Sequence, residues 1–295
     1  NKIPDKFIFF LTDMKKEIEP ILLHSAHFRT LNVNSAVTNG IEIIIYRKEE
    51  LLKSIFHELI HYHDLDYKHL SRNHKTILEN YIIQHHNILP DNEYLFYECI
   101  TESLTNFLNC IYLLPSSIPK QSRKSHTDID NIKTLFIEHF RDEIIFSTFQ
   151  ITKILGLCGF KTWQQFISIS GSIKETKTIR KFKKFKQDSC VFSYYILKLY
   201  ILLNFQKYLA TILDDKLKFQ PTDTAISNLV EIFNQSRNNI YLANIINSIL
   251  KNNSGRYKTG KHNSGRIMKT MKTNKNIKNV KNNITRFKKS SHIIK

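Results

Sequence analysis

Between Ile41 and Tyr62 the spacing of apolar residues changes once, and that change limits the fold more than any other feature of the chain. Ile41-Glu42-Ile43-Ile44-Ile45-Tyr46 is dense in β-branched residues and predicts a strand entered through a turn at Thr38-Asn39-Gly40. From Lys48 to Tyr62 the period becomes helical: Leu51, Leu52, Ile55, Phe56, Leu59 and Ile60 form one apolar face, with no Pro or Gly to interrupt it. A strand running straight into an amphipathic helix requires a sheet and a helical layer in the same core.

Most of the remaining chain reads as helix. Phe7 to Leu23 has apolar residues near helical spacing, and Arg29 to Val33 reads as a short extended segment. Pro90-Asp91-Asn92-Glu93 offers a helix start, with the helix continuing over 94–113 and ending before Leu114-Pro115. After a polar loop from Ser125 to Asp130, helices are expected at roughly 130–156, 162–169, 188–213 and 222–250. The expected class is α+β: a mainly helical core with a small β-sheet beside the helix that carries His57 and His61.

Length and charge divide the chain further. At 295 residues it can bury a sizeable core, and its 41% apolar and 24% charged content is that of ordinary globular proteins. The longest apolar run, Val191 to Phe205, is interrupted by Lys198 and falls short of the roughly 18 residues of a membrane span. The N-terminal Asn-Lys-Ile-Pro lacks a secretory signal pattern, and the missing initiator Met points to a fragment or processed start. Cys99, Cys110, Cys158 and Cys190 are scattered, as expected of reduced thiols in an intracellular compartment. Of the formal +18, residues 251–295 carry +14 with no acidic residue, leaving a body of about +4. Three parts are expected: 1–120 with the site, 121–250 as a helical subdomain completing the core, and 251–295 as a basic tail too polar to order alone. Lys174 to Lys186 forms a second basic patch, with seven Lys or Arg against one Glu.

The chemistry follows from helix geometry. Residues four apart share a face, so His57 and His61 can offer imidazole nitrogens to one tetrahedral Zn²⁺. Glu58, beside the first histidine, can reach a water on that metal rather than the metal itself and act as its general base. Metal-assisted hydrolysis, most naturally of a peptide bond, is the implied reaction class.

The pattern His57-Glu58-Leu59-Ile60-His61 resembles that of the zincin metallopeptidases, and more narrowly the gluzincins, over roughly residues 40–115. The resemblance implies a third zinc ligand, a Glu on a later helix followed one turn on by an acidic or amide residue. Two registers fit Tyr97-Glu98-Cys99-Ile100-Thr101-Glu102-Ser103-Leu104-Thr105-Asn106-Phe107. In the favoured one Glu98 binds zinc and Glu102 orients a ligating histidine. In the other, similar to some small metallopeptidases, Glu102 is the ligand and Asn106 its companion. Without a cation nearby the two glutamates would repel across one helical turn. The metzincin continuation is absent, since Asp64 and Tyr67 stand where that pattern has Gly and His. Asp64 or Asp66, or His69 or His74, are alternative third ligands. Family analogy also assigns a later Tyr to oxyanion stabilisation, for which Tyr194 or Tyr195 is available. The Asn-, Lys- and Ile-rich usage is similar to that of zincin-like proteins of large DNA viruses and parasites, which makes the expected location cytoplasmic or viral-associated.

A second reading belongs to a different class. Lys269, Lys272, Lys275, Lys278 and Lys281 recur every third residue and can neutralise phosphates without reading sequence, as in a nucleic-acid- or polyanion-binding protein with a structural or degenerate zincin core. Only Tyr257 and Phe287 offer stacking rings there.

Overall fold

The computed structural model describes residues 4–13, 27–28, 34–48, 50–88, 94–117, 129–167 and 185–253. Outside them lie the expected segments at 29–33 and 90–93, most of the polar loop at 125–130, the basic patch at 174–184 and the tail from 254. The protein is mainly helical, with a small three-stranded sheet against one helix.

The sheet consists of β1 (Lys6–Thr12), β3 (Ala36–Thr38) and β4 (Glu42–Arg47), in the order β1-β4-β3. Asn39 Oδ1 accepts hydrogen bonds from the amides of Ile41 and Glu42 at 2.9 and 2.8 Å, and Gly40 takes the left-handed conformation (φ +85°) that closes the turn. β3 and β4 are therefore antiparallel, with Val37 opposite Ile44. β1 lies parallel to β4 on its other side, pairing Phe7 with Ile43 and Phe9 with Ile45. This corrects the helix expected from Phe7: residues 6–12 form a strand, and 14–23 fall outside the described residues. A short run of Phe, Ile and Leu satisfies either period, and the free edge of β4 supplies the hydrogen bonds that favour the extended form. A separate two-stranded parallel ladder joins β2 (His27–Phe28) to β5 (Lys186–Gln187).

Ile43 and Ile45 project from β4 into a small apolar cluster with Ala36, covered by Leu51, Ile55, Leu59 and Tyr62 of α1 (Leu51–Tyr62). The opposite side of α1 faces α3 (Tyr97–Ser117), and the space between these two helices holds the candidate site. α2 (Arg72–His85), capped by the Ser71 hydroxyl, was not evident in the sequence and packs on α8 (Asp223–Arg237). α3 runs through Pro115 instead of ending before it. Pro115 sits two residues from the helix end, so its missing N–H disturbs only the last turn, and the Ser116 and Ser117 hydroxyls donate to the Leu113 carbonyl.

The larger core gathers around α4 (Ile129–Leu157), α5 (Trp163–Phe166), α6 (Lys198–Leu203), α7 (Phe205–Thr211), α8 and α9 (Ile240–Asn253). The helix expected at 188–213 is three pieces. A π-helical turn over Phe192–Leu197 leads into α6, and Asn204, non-helical at φ −125°, separates α6 from α7. The stretch expected at 222–250 divides likewise at Asn238-Asn239, where Asn239 Oδ1 accepts from the amides that start α9. Among the described residues no helix is long and apolar enough to cross a membrane.

Candidate metal centre

α1 and α3 lie side by side with their polar stripes facing each other. His57, Glu58 and His61 come from α1, and Glu98 and Glu102 from α3. His57 and His61 are one turn apart, and their Nε2 atoms lie 3.0 Å from each other. Glu98 Oε2 is 3.5 Å from the first and 3.3 Å from the second.

The remaining ring nitrogens are both held by carboxylates. His57 Nδ1 lies 3.0 Å from Glu102 Oε1, and His61 Nδ1 lies 2.5 Å from Asp66 Oδ2. An ionised carboxylate only accepts, so each Nδ1 carries a proton, and in the neutral form of each ring the Nε2 lone pair turns inward. Two lone pairs and a carboxylate oxygen then face one point from three sides. Glu98 Oε2 is buried there without a hydrogen-bond partner. Such an arrangement repels itself unless a cation, either a proton or a metal ion, sits at its centre.

A metal ion fits this centre. His57, His61 and Glu98 can each present one ligand atom, all within 4.8 Å of one another. Tetrahedral zinc with bonds of about 2.0–2.1 Å separates its ligand atoms by roughly 3.3 Å. The observed separations of 3.0, 3.3 and 3.5 Å bracket that value.

The electrostatics point the same way. Burial opposes charge on the His57 ring, yet the neighbouring Glu102 and Glu98 carboxylates carry its pKa up to about 10. Burial likewise opposes ionisation of Glu98, but His57 and His61 bring it down to about 2. Burial also works against the Glu102 carboxylate, and Lys53 and His57 hold its pKa well below the usual range all the same. Glu58 behaves differently. Burial raises its pKa, with His57 and His61 acting in the opposite sense.

No protein-family model, curated protein or solved structure matches the chain. The candidate site is accordingly read from its own chemistry.

Asp66 is the residue whose part was least visible in the sequence, where it stood only as an alternative ligand. Its position comes from the turn that ends α1. Asp64 adopts a left-handed conformation (φ 52°), its amide bonds to the His61 carbonyl, and the Leu65 amide returns to the Ile60 carbonyl. The chain thus doubles back and tucks Asp66, fully buried, beneath His61, where Thr101 of α3 also donates to Oδ2 at 2.9 Å. An acidic residue that tolerates φ > 0 three positions past the second histidine was the available signal.

The other alternative ligands are placed elsewhere. Asp64 pairs with Lys218 at 3.2 Å, His74 with Asp223 at 2.7 Å, and His69 is exposed. Asn106 is buried two turns beyond Glu98, outside the cluster of candidate ligands. Tyr194, in the π-helical turn, sets its ring edge-on to His57 at 6.0 Å, while Tyr195 lies beneath the Lys198 ammonium at 5.6 Å. Of these two, Tyr194 is therefore the one beside a site histidine. Burial, with Glu98 and nearby acidic groups, raises the Tyr194 phenol well above its ordinary pKa and keeps it protonated.

Proposed function

We propose that the chain is a zinc-dependent metalloprotease of gluzincin-like type, with His57, His61 and Glu98 as metal ligands and Glu58 as general base. The observation that supports this reading best is the meeting of two Nε2 lone pairs and the orphaned Glu98 Oε2. A strand beside the site helix and a later helix bearing the carboxylate add to it. Two neutral imidazoles and a carboxylate are a donor set suited to zinc. When bound, zinc supplies Lewis-acid chemistry, polarising a carbonyl and acidifying water.

The chain's own residues account for the rest. Glu102 and Asp66 hold the two Nδ1 protons, fixing both ring tautomers and orientations. Glu58 takes a proton from water on its carboxylate. Because burial has raised its pKa, it retains that proton long enough to pass it to the leaving amine. Tyr194, kept protonated and with its ring edge-on to His57, is the donor this reading assigns to the oxygen that becomes negative as the carbonyl is attacked.

The polyanion-binding reading draws on residues 254–295, outside the described residues, and no contact of the described residues favours it. A substitution tests the protease reading: Glu58→Gln is expected to retain zinc while peptide hydrolysis falls by on the order of 10²–10⁴-fold. Turnover at the wild-type rate in that variant would remove Glu58 from the mechanism.

A further inference from the structure

At the Nδ1 edge of His57, four charged side chains from four helices alternate in sign. Lys53 Nζ of α1 lies 3.6 Å from Glu102 Oε2 and 3.9 Å from Glu143 Oε1. Lys198 Nζ of α6 lies 3.7 Å from each of the same two carboxylates. Glu102 comes from α3 and Glu143 from α4. Glu102 presents Oε2 to the lysines and Oε1 to His57, so a single carboxylate joins the group to the metal centre.

Lys198 is the unexpected member. In the sequence it interrupts an apolar run, and in the structure its side chain is 2% exposed between Leu197 and Leu199, both fully buried. An ammonium at that depth is costly to desolvate, and a Leu or Met would fill similar space without the cost. Its position immediately after the π-helical turn also matters. The same segment sets Tyr194 against one side of His57 and delivers Lys198 to the carboxylate that holds the ring's Nδ1.

We propose that Lys198, with Glu143 and Lys53, is a positioning residue of the metal centre: the two ammonium groups pin Glu102 Oε2 so that Oε1 holds the His57 Nδ1 proton and keeps Nε2 aimed at Glu98. This rests on the zinc reading of the site. Unpinned, Glu102 can turn about its own side-chain torsions and release the ring. A network that served only to join α4 and α6 to α1 and α3 would affect stability and leave the ring where it is.

The test uses the full chain and the double substitution Lys198→Met/Glu143→Gln, which removes one charge of each sign and leaves Lys53 facing Glu102. Zinc affinity is measured by chelator competition, and the His57 Nδ1 proton is followed by NMR in the metal-free protein. The variant is expected to unfold cooperatively, bind zinc about tenfold or more weakly, and lose the downfield Nδ1 proton resonance. Lys207→Met/Glu231→Gln, at a solvent-facing pair 2.6 Å apart, is expected to change neither readout. Wild-type affinity and an unmoved resonance in the folded double variant would overturn the proposal. If the wild-type chain takes up no zinc, the protease reading falls, and the resonance by itself decides the positioning role. If the double variant does not fold, Lys53→Met alone, at a partly exposed position in direct contact with Glu102, is expected to shift the resonance and weaken zinc binding, and no change in either would count against the proposal.

Discussion

His57 and His61 on α1, and His86 just past the end of α2, are the same kind of side chain removed from water, and the fold shifts their proton affinities in opposite directions. His86 is enclosed by Phe166, Phe192 and Tyr200. Its Nδ1 donates to the Ile82 carbonyl at 3.1 Å, and its Nε2 accepts from the Tyr200 hydroxyl at 3.0 Å. Burial lowers its pKa to about 3, further depressed by Arg237 and His85 and only partly opposed by the Ile82 bond, so the ring is neutral. At His57 the Glu102 and Glu98 carboxylates reverse that shift. Burial thus does not distinguish a structural histidine from a candidate ligand. The acidic partners of the second ring nitrogen do, and in this chain Glu102 comes from α3 and Asp66 from the turn that ends α1.

Substitutions at either region sharpen the contrast. His86→Ala removes a ring packed among aromatics and leaves the Tyr200 hydroxyl without its acceptor, so a loss of about 3 kcal/mol in stability is expected by chemical denaturation, with zinc uptake unchanged. Weakened zinc binding in that folded variant would mean that the two regions are not independent. Asp66→Asn acts in the other direction. It deprives His61 of its charged partner and is expected to weaken zinc binding about 10–100-fold by chelator competition, with a smaller effect on folding.

A pH dependence follows from His86 as well. Its folded pKa lies below the unfolded value of about 6.5, so below that pH the unfolded chain binds the extra proton. Its contribution to stability is complete above about pH 6.5 and is lost as pH falls toward 3, at roughly 1.4 kcal/mol per pH unit through the middle of that window. Denaturation midpoints between pH 6 and 5 should show this slope in wild type and a shallower one in His86→Ala. Equal slopes would assign the acid sensitivity to other groups.

Local patterns were the legible part of the molecule. The turn at Asn39-Gly40, β4 and α1 follow from side-chain period and turn chemistry over a few residues, and Glu98 and Glu102 stand out as two acids on one helical face. What was hidden depends on distant partners or on a local reversal of the chain that side-chain period does not encode. β1 has an ambiguous period and becomes a strand because β4 offers it an edge. Asp66 becomes the partner of His61 through a left-handed turn. Lys198 looked like a simple interruption of an apolar run, because the carboxylates that accommodate it belong to α3 and α4. The breaks at Asn204 and at Asn238-Asn239 fall inside segments whose apolar spacing continues helically across them.

The central claim is that His57, His61 and Glu98 form one metal centre while the buried His86 does not take part in one. The direct measurement is a zinc titration of metal-free protein, comparing wild type with Glu98→Gln and His86→Ala. The account predicts one zinc per chain in wild type and His86→Ala, and no tightly bound zinc in Glu98→Gln. Zinc held as tightly by Glu98→Gln as by wild type, or no zinc in wild type, would contradict it.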